Sequence, residues 1–269
     1  MHPFISYITR RLEPQFGFSE ARAMAWWVTE EVTGKTQTEL ISISDCKDTE
    51  KNPNIEIILQ RLLKNEPIQY IFGHSLWYGM DLKVNSSTLI PRPETAELVD
   101  WVLEEHQEAT LRVVDIGTGS GCIALALKKM RPHWQVTGID ISKNALEVAK
   151  DNGERQGIEV QWIEWDILSK SPISSEQLLV SNPPYVRMSD LYDKSVKEYE
   201  PEGALWVSED DPLLYYRAIA RQGVKSVYVE INEKLSEETK QVFEEAGYTN
   251  IRIKKDSYGK YRFIAASLA

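Results

Sequence analysis

Apolar residues recur at helical spacing through residues 3–64. Phe4, Ile5, Ile8 and Leu12 fall on one face, and Ile55, Ile58, Leu59, Leu62 and Leu63 form a second stripe that stops before Pro67. Between them, SEARAMAWWVTEEVTG is expected to open on Ser19 as a capping residue and to close on Gly34. Thr36 and Glu39 have the spacing of a capping box before a short helix. The pattern predicts a small helical bundle over residues 1–68. It holds no catalytic constellation, so its expected work is to bind or position a partner.

At residue 69 the period changes. QYIFGHSLWYGMDLKVN is aromatic and rich in β-formers, with Gly73 and Gly79 as turn candidates, and reads as a β-hairpin in a linking segment, residues 69–93. An extended Pro-x-Pro follows, then a helix from about residue 94. Beyond residue 111, apolar runs at strand length alternate with helical patterns. Strands are expected at 111–116, 135–140, 159–163, 177–181, 225–231, 248–254 and 261–268, and helices at 120–130, 142–156, 212–222 and 236–246. Such alternation predicts an α/β domain over residues 94–269, a doubly wound and mostly parallel sheet. The short DSYGK connection should make the last two strands antiparallel.

Composition narrows the classes. The chain has 269 residues, 42% hydrophobic and 27% charged, as expected of a soluble globular protein with a sizeable core. A formal net charge of −10 argues against a non-specific nucleic-acid binder. Two distant cysteines, Cys46 and Cys122, exclude a disulfide framework and fit a reducing cytosol. The four histidines show no metal-ligand spacing, so no metal is expected. Neither a transmembrane segment nor a signal peptide is read in the sequence.

Gly117, Gly119 and Gly121 lie between the first predicted strand of the α/β domain and its helix, in VVDIGTGSGCIALAL. A glycine loop alone is only a tight strand-to-helix turn. Here the spacing G-x-G-x-G departs from the dinucleotide fingerprint, and no basic residue stands ready for a triphosphate. Asp140 ends the next strand, where an acid accepts hydrogen bonds from both hydroxyls of a ribose. Asp115 is placed to face a cationic ammonium. Asp166 is placed to accept from an adenine amino group, with Ile167 beside the ring. This combination suits a nucleoside carrying an amino-acid tail and no phosphate, which is S-adenosylmethionine.

SNPPYV ends the fourth predicted strand of this domain. If that strand lies beside the first, the glycine loop and Asn182–Tyr185 are neighbours at the switch point of the sheet. Methyl transfer to a planar NH₂ group needs acceptors that hold both N–H bonds and stabilise the charge developing on nitrogen. The Asn182 side-chain oxygen is one, and the carbonyl of Pro183, which has no competing N–H, is another. Pro184 stiffens the turn, and the Tyr185 ring is expected to stack on the acceptor.

With these residues in hand, the chain resembles the HemK/PrmC family, the protein-(glutamine-N(5)) methyltransferases that modify peptide chain release factors. PIQYIFGHSLWYGMDLKVNSSTLIPRPETAELV, VVDIGTGSGCIALAL, GIDISKNALEVAKDN, SNPPYV, YEPEGAL and YVEI carry the likeness in order. The resemblance implies a helical N-terminal domain that helps recognise the release factor and a seven-stranded methyltransferase domain. The acceptor it implies is the glutamine of a Gly-Gly-Gln motif. It implies that Gly117, Thr118, Gly119, Ser120, Gly121, Asp140 and Asn182 hold S-adenosylmethionine, leaving S-adenosylhomocysteine as product, and that Asn182–Tyr185 grip the amide. Thr95 of PRPET should line the cofactor site, while Arg92 and Glu94 cap or order that segment. The expected protein is a cytoplasmic monomer that meets neither membrane nor nucleic acid directly.

The chain departs from the family at Asp210, Asp211 and Pro212, at Asn232 and at Tyr261, none of them expected to touch the chemistry. Core packing is expected of Trp26, Trp27, Trp101 and Trp162, whereas Trp77–Tyr78 is placed where it could touch substrate. The acidic run 196–211 is expected to be a solvated face. Asn-Pro-Pro-Tyr also occurs in nucleic-acid amino-methyltransferases, so that activity, methylation of a ribosomal-protein glutamine, and a non-catalytic S-adenosylmethionine-binding scaffold stand as alternatives.

Overall fold

In a computed structural model, residues 3–42, 53–169, 177–190 and 198–269 are described. Residues 43–52 of the helical stretch, Cys46, and Val196 and Lys197 of the acidic run lie outside them. The chain divides into two compact units, Met1–Gly73 and His74–Ala269.

The first unit contains α1 (Pro3–Phe16), α2 (Phe18–Thr33), α3 (Gln37–Ser42), α4 (Pro53–Leu63) and α5 (Ile68–Phe72). Phe4, Ile5, Ile8 and Leu12 of α1 pack with Ala21, Ala25 and Val28 of α2 and with Ile55, Leu59 and Leu62 of α4 in one core. Gly34 closes α2 in the left-handed region, its N–H donating to Glu30 O. Thr36 and Glu39 form the expected box: the Thr36 N–H donates to Glu39 Oε2 at 2.8 Å and the Glu39 N–H to Thr36 Oγ1 at 3.4 Å. Ser19 is not a cap. The helix starts earlier, after Gly17, which carries no capping side chain. A second correction concerns QYIF, which is helical rather than a hairpin strand. Pro67 precedes α5, and Gly73 ends it at φ 79° with its N–H on Gln69 O.

The second unit opens with the hairpin proper, β1 (His74–Trp77) and β2 (Met80–Lys83). Tyr78 (φ 49°) and Gly79 (φ 65°) form its two-residue turn, as a primed turn requires. Helix α6 (Pro93–Glu105) leads into β3 (Arg112–Ile116), α7 (Cys122–Met130), β4 (Gln135–Asp140), α8 (Lys143–Gln156), β5 (Gln161–Glu164) and β6 (Leu178–Ser181). Then come the single turn α9 (Glu202–Leu205), α10 (Leu214–Ala220), β7 (Ser226–Glu230), α11 (Ser236–Glu245), β8 (Thr249–Lys255) and β9 (Tyr261–Ser267). Among the described residues the main sheet has seven strands in the order β5-β4-β3-β6-β7-β9-β8. The strands β5 to β7 pair in parallel, and β9 is antiparallel to both β7 and β8.

The period-two alternation sends side chains to two cores. Val113, Leu178, Val180 and Tyr228 join Trp101, Val102, Leu125 and Leu127 on the α6–α7 face. Val114, Leu179, Val227 and Val229 join Tyr216, Ile219 and Phe243 on the α10–α11 face. Trp77 and Trp101 are core residues, and Tyr78 packs beside them with its hydroxyl on Asp100 at 2.6 Å. Trp77 is therefore buried, while Tyr78 is half-buried against it.

Candidate functional site

The sheet reverses direction at β3, which pairs with β4 on one side and with β6 on the other. Ile116 lies opposite Ser181, so the loops that leave the two strands begin side by side. There a cavity of about 410 Å³ opens, lined by Gly117, Gly119, Asp140, Asp166, Ile167, Asn182, Pro183 and Pro184 together with Ser87–Leu89, Ile141–Ser142, Leu168, Gly203–Ala204 and Tyr215. This is the crevice position that a doubly wound sheet provides.

The glycine loop turns because its residues can. Gly117, Gly119 and Gly121 sit at φ 70°, 54° and 82°. At Gly121 a Cβ would lie 2.9 Å from the Trp162 ring and 3.1 Å from Ala149 Cβ, so this turn needs both the left-handed backbone and the missing side chain. Asn152 of α8 holds the loop from behind. Its Nδ2 donates to Ser120 O at 2.9 Å and to Lys83 O at 3.0 Å, while its Oδ1 accepts the Lys83 N–H at 2.6 Å. Thr118, Ser120 and Gly121 shape the loop but do not line the cavity.

Asp140 is fixed at both oxygens. Oδ2 accepts the Gly119 N–H at 2.9 Å and Oδ1 the Ser142 N–H at 2.8 Å. Each oxygen keeps a lone pair for a further donor, so the pair can receive two vicinal hydroxyls. Burial raises the carboxyl's pKa, against the pull of those N–H groups. Ser142 caps α8 through Oγ, which accepts from Ala145 N at 3.2 Å. Asp166 accepts the Leu168 N–H at 2.8 Å, which orders the turn that brings Ile167 to the wall. Exposed Ile141 adds a second apolar side chain to the lining.

Asp115 departs from expectation. Its side chain is fully buried beneath the loop, where Oδ2 accepts from Thr118 Oγ1 at 2.6 Å and from the Ala124 N–H at 3.2 Å. Burial lifts its carboxyl to about 7. Oδ1 has no partner among the described residues. The carboxyl thus supports the loop from within and does not face the cavity.

On the far wall, Asn182 follows β6. Its Nδ2 donates to Thr95 Oγ1 at 3.2 Å, and Thr95 Oγ1 donates to Glu230 Oε2 at 2.8 Å. Tyr185 reaches the same carboxylate, its hydroxyl donating to Glu230 Oε1 at 2.7 Å. Burial raises the Tyr185 phenol well above its ordinary pKa and keeps it a donor; burial also raises Glu230. Thr95 and Tyr185, both expected at the cavity, are drawn away from it to Glu230. Their polar atoms are spent there, and the Tyr185 ring packs against the α10–α11 core.

Arg92 and Glu200 join the segments that frame the mouth, with Nη2 2.5 Å from Oε1 and Glu200 almost wholly buried. The Ile90 N–H also donates to Glu200, at 3.4 Å. Glu200 is therefore an internal strut, whereas Glu198, Glu202, Glu209 and Asp210 are exposed as expected of the acidic run. Asn232 also departs from expectation, since its Nδ2 donates to the Tyr185 carbonyl at 3.1 Å. Sequence reasoning missed Glu230, Ser142 and the Ser87–Leu89 wall. For Glu230 a signal existed, because a lone acid in the apolar run VYVEI has to be partnered when the strand is central.

Comparison with known proteins gives this geometry a lineage. Residues 5–73 match the PrmC N-terminal domain and residues 95–238 the Methyltransferase small domain. A release factor glutamine methyltransferase of Bacteroides thetaiotaomicron is 37% identical over 99% of this chain and 100% of its own. One of Flavobacterium psychrophilum is 41% identical over 78% of each. A methyltransferase crystal structure from Pyrococcus furiosus shares the fold at a TM-score of 0.52 and 18% identity, covering 80% of this chain and 98% of that one. Similar in sequence from one compact unit to the other to these relatives, the chain belongs to the release factor glutamine methyltransferase family.

Proposed function

We propose that the protein transfers the methyl group of S-adenosylmethionine to the side-chain amide nitrogen of the glutamine in a Gly-Gly-Gln motif of a peptide chain release factor, tuning translation termination in the cytoplasm. One observation carries the reading: a single cavity joins Gly117, Gly119 and Asp140 to Asn182, Pro183 and Pro184. The donor set fits the cofactor. Asp140 keeps acceptor capacity for a ribose diol, Ile141 and Ile167 offer apolar contact to a purine, and Asp166 faces the same space. Among the described residues no basic side chain lines the cavity, which disfavours a phosphorylated nucleotide.

When bound, S-adenosylmethionine supplies an electrophilic methyl group on its sulfonium sulfur. Asn182 Oδ1 and the Pro183 carbonyl accept the two amide N–H bonds, hold the nitrogen and stabilise the positive charge that develops on it. The fixed Pro-Pro backbone keeps both acceptors in place without reorganisation. No strong base is required, because the charged product is acidic enough to lose its proton afterwards. The helical first unit is assigned to recognition of the release factor. The fold is expected to act as a monomer, without metal and without direct contact to nucleic acid. Among the described residues no helix is long and apolar enough to cross a membrane.

Labelled S-adenosylmethionine incubated with purified release factor, ribosomal proteins, DNA or RNA tests the reading. Label on the release-factor glutamine is expected; label confined to nucleic acid or to a ribosomal protein would overturn it.

A further inference from the structure

The hydrogen-bond chain that leaves Asn182 has a direction, and that direction decides which atom of the amide faces the cavity. Glu230 is fully buried on β7 and receives one hydroxyl on each oxygen, Tyr185 on Oε1 and Thr95 on Oε2. A threonine hydroxyl has one proton. Spent on Glu230, it leaves Thr95 Oγ1 only as an acceptor toward Asn182, 3.2 Å away. Asn182 must then present Nδ2 to Thr95 and turn Oδ1 the other way. With the amide reversed, Oδ1 would meet a lone pair, or Thr95 would abandon Glu230 and leave a buried carboxylate oxygen unpaired. Asn182 Oδ1 has no partner among the described residues. The same carboxylate anchors the ring at the other end of Asn-Pro-Pro-Tyr, so Glu230 fixes both ends of that turn.

We propose that Thr95 and Glu230 are positioning residues for methyl transfer: they set the amide orientation of Asn182 so that its oxygen, not its nitrogen, meets the acceptor NH₂. Neither is among the residues that line the cavity. The assignment rests on the methyl-transfer reading above.

A double-mutant cycle on the full chain tests it, with a release factor as substrate. Thr95→Val keeps the shape and removes the hydroxyl. It is expected to lower kcat by about tenfold or more, with S-adenosylmethionine affinity within about twofold of wild type, and Thr95→Ser should restore kcat to within about threefold. In an Asn182→Ala background the same Thr95→Val change should lower kcat no further, because its effect on methyl transfer passes through Asn182. Glu230→Gln preserves volume but puts an NH₂ group against a donor, so kcat should fall in the same way. If Glu230→Gln misfolds, the threonine pair and the cycle still decide. Three results overturn the assignment alone: losses that add in the cycle, Thr95→Ser as impaired as Thr95→Val, or Thr95→Val near wild type. Wild-type enzyme that transfers no methyl to a release factor overturns the functional reading and this assignment with it.

Discussion

Asn182 concentrates the chemistry at the residue scale. Asn182→Ala removes the acceptor and should lower kcat by roughly a hundredfold while weakening cofactor binding much less. Single-turnover rates and equilibrium binding measure the two separately, and a rate within threefold of wild type would sink the acceptor role. Gly138 shows how tightly the loop's support is packed. A Cβ there would lie 2.4 Å from the Trp162 ring and 3.0 Å from Thr118 Oγ1. Gly138→Ala should destabilise by about 1–3 kcal/mol through overpacking. Adding Trp162→Leu should recover part of that loss in urea melts; no recovery would mean that the indole is not the obstacle. Gly117, Asp140 and Asn182 could be read from the sequence because strand ends and turn chemistry fix where their backbones go. Thr95, Tyr185 and Asp115 could not. Thr95 and Tyr185 follow a partner that only the fold supplies, as with the Thr95–Glu230 bond across 135 residues, and Asp115 turns under its own loop to Thr118 and Ala124.

One carboxylate ties three elements of the second unit together. Glu105 at the end of α6 accepts from Tyr228 of β7 and Trp101 at 2.6 Å each, and from Arg252 of β8. Arg252 draws the Glu105 carboxyl down from 4.5 to about 2, against the opposing effect of burial. A lowered carboxylate pKa contributes stability above the unfolded value, and that contribution is lost as pH falls toward the folded one. The Tm gap between wild type and Glu105→Gln should therefore be widest near neutrality and close by about pH 2. A gap that does not change with pH would remove the charge from the account. Most elements were legible because their apolar periods are long and clean. The α5 segment was not, since five residues of aromatic and β-branched character suit a strand equally well. Pro67 and Gly73 decided the outcome from outside the run.

For the whole molecule, the two units have separate cores. Among the described residues, those that line the cavity all belong to the second. A fragment covering residues 74–269 should therefore bind S-adenosylmethionine near wild-type affinity yet methylate intact release factor far more slowly. Undiminished methylation would remove the first unit from substrate recognition. The change of period near residue 69 falls short of the division, which lies after Gly73 because α5 still belongs to the first unit. The strand order was only partly legible, because nothing local in β8 or β9 tells which of them joins β7. That order has a kinetic consequence. Among the described residues β8 pairs with β9 alone, so the β8–β9 hairpin reaches β7 only through β9. Its turn is knit by Asp256, which accepts the Tyr258 and Lys260 N–H groups. Phe263 arrives opposite Glu230, and Arg262 brings Nη1 within 3.5 Å of the Tyr185 hydroxyl. Until the hairpin docks, β7 is a wet sheet edge and Glu230 has water for company. Refolding should therefore regain helix content first and turnover last, with activity returning in the slowest phase.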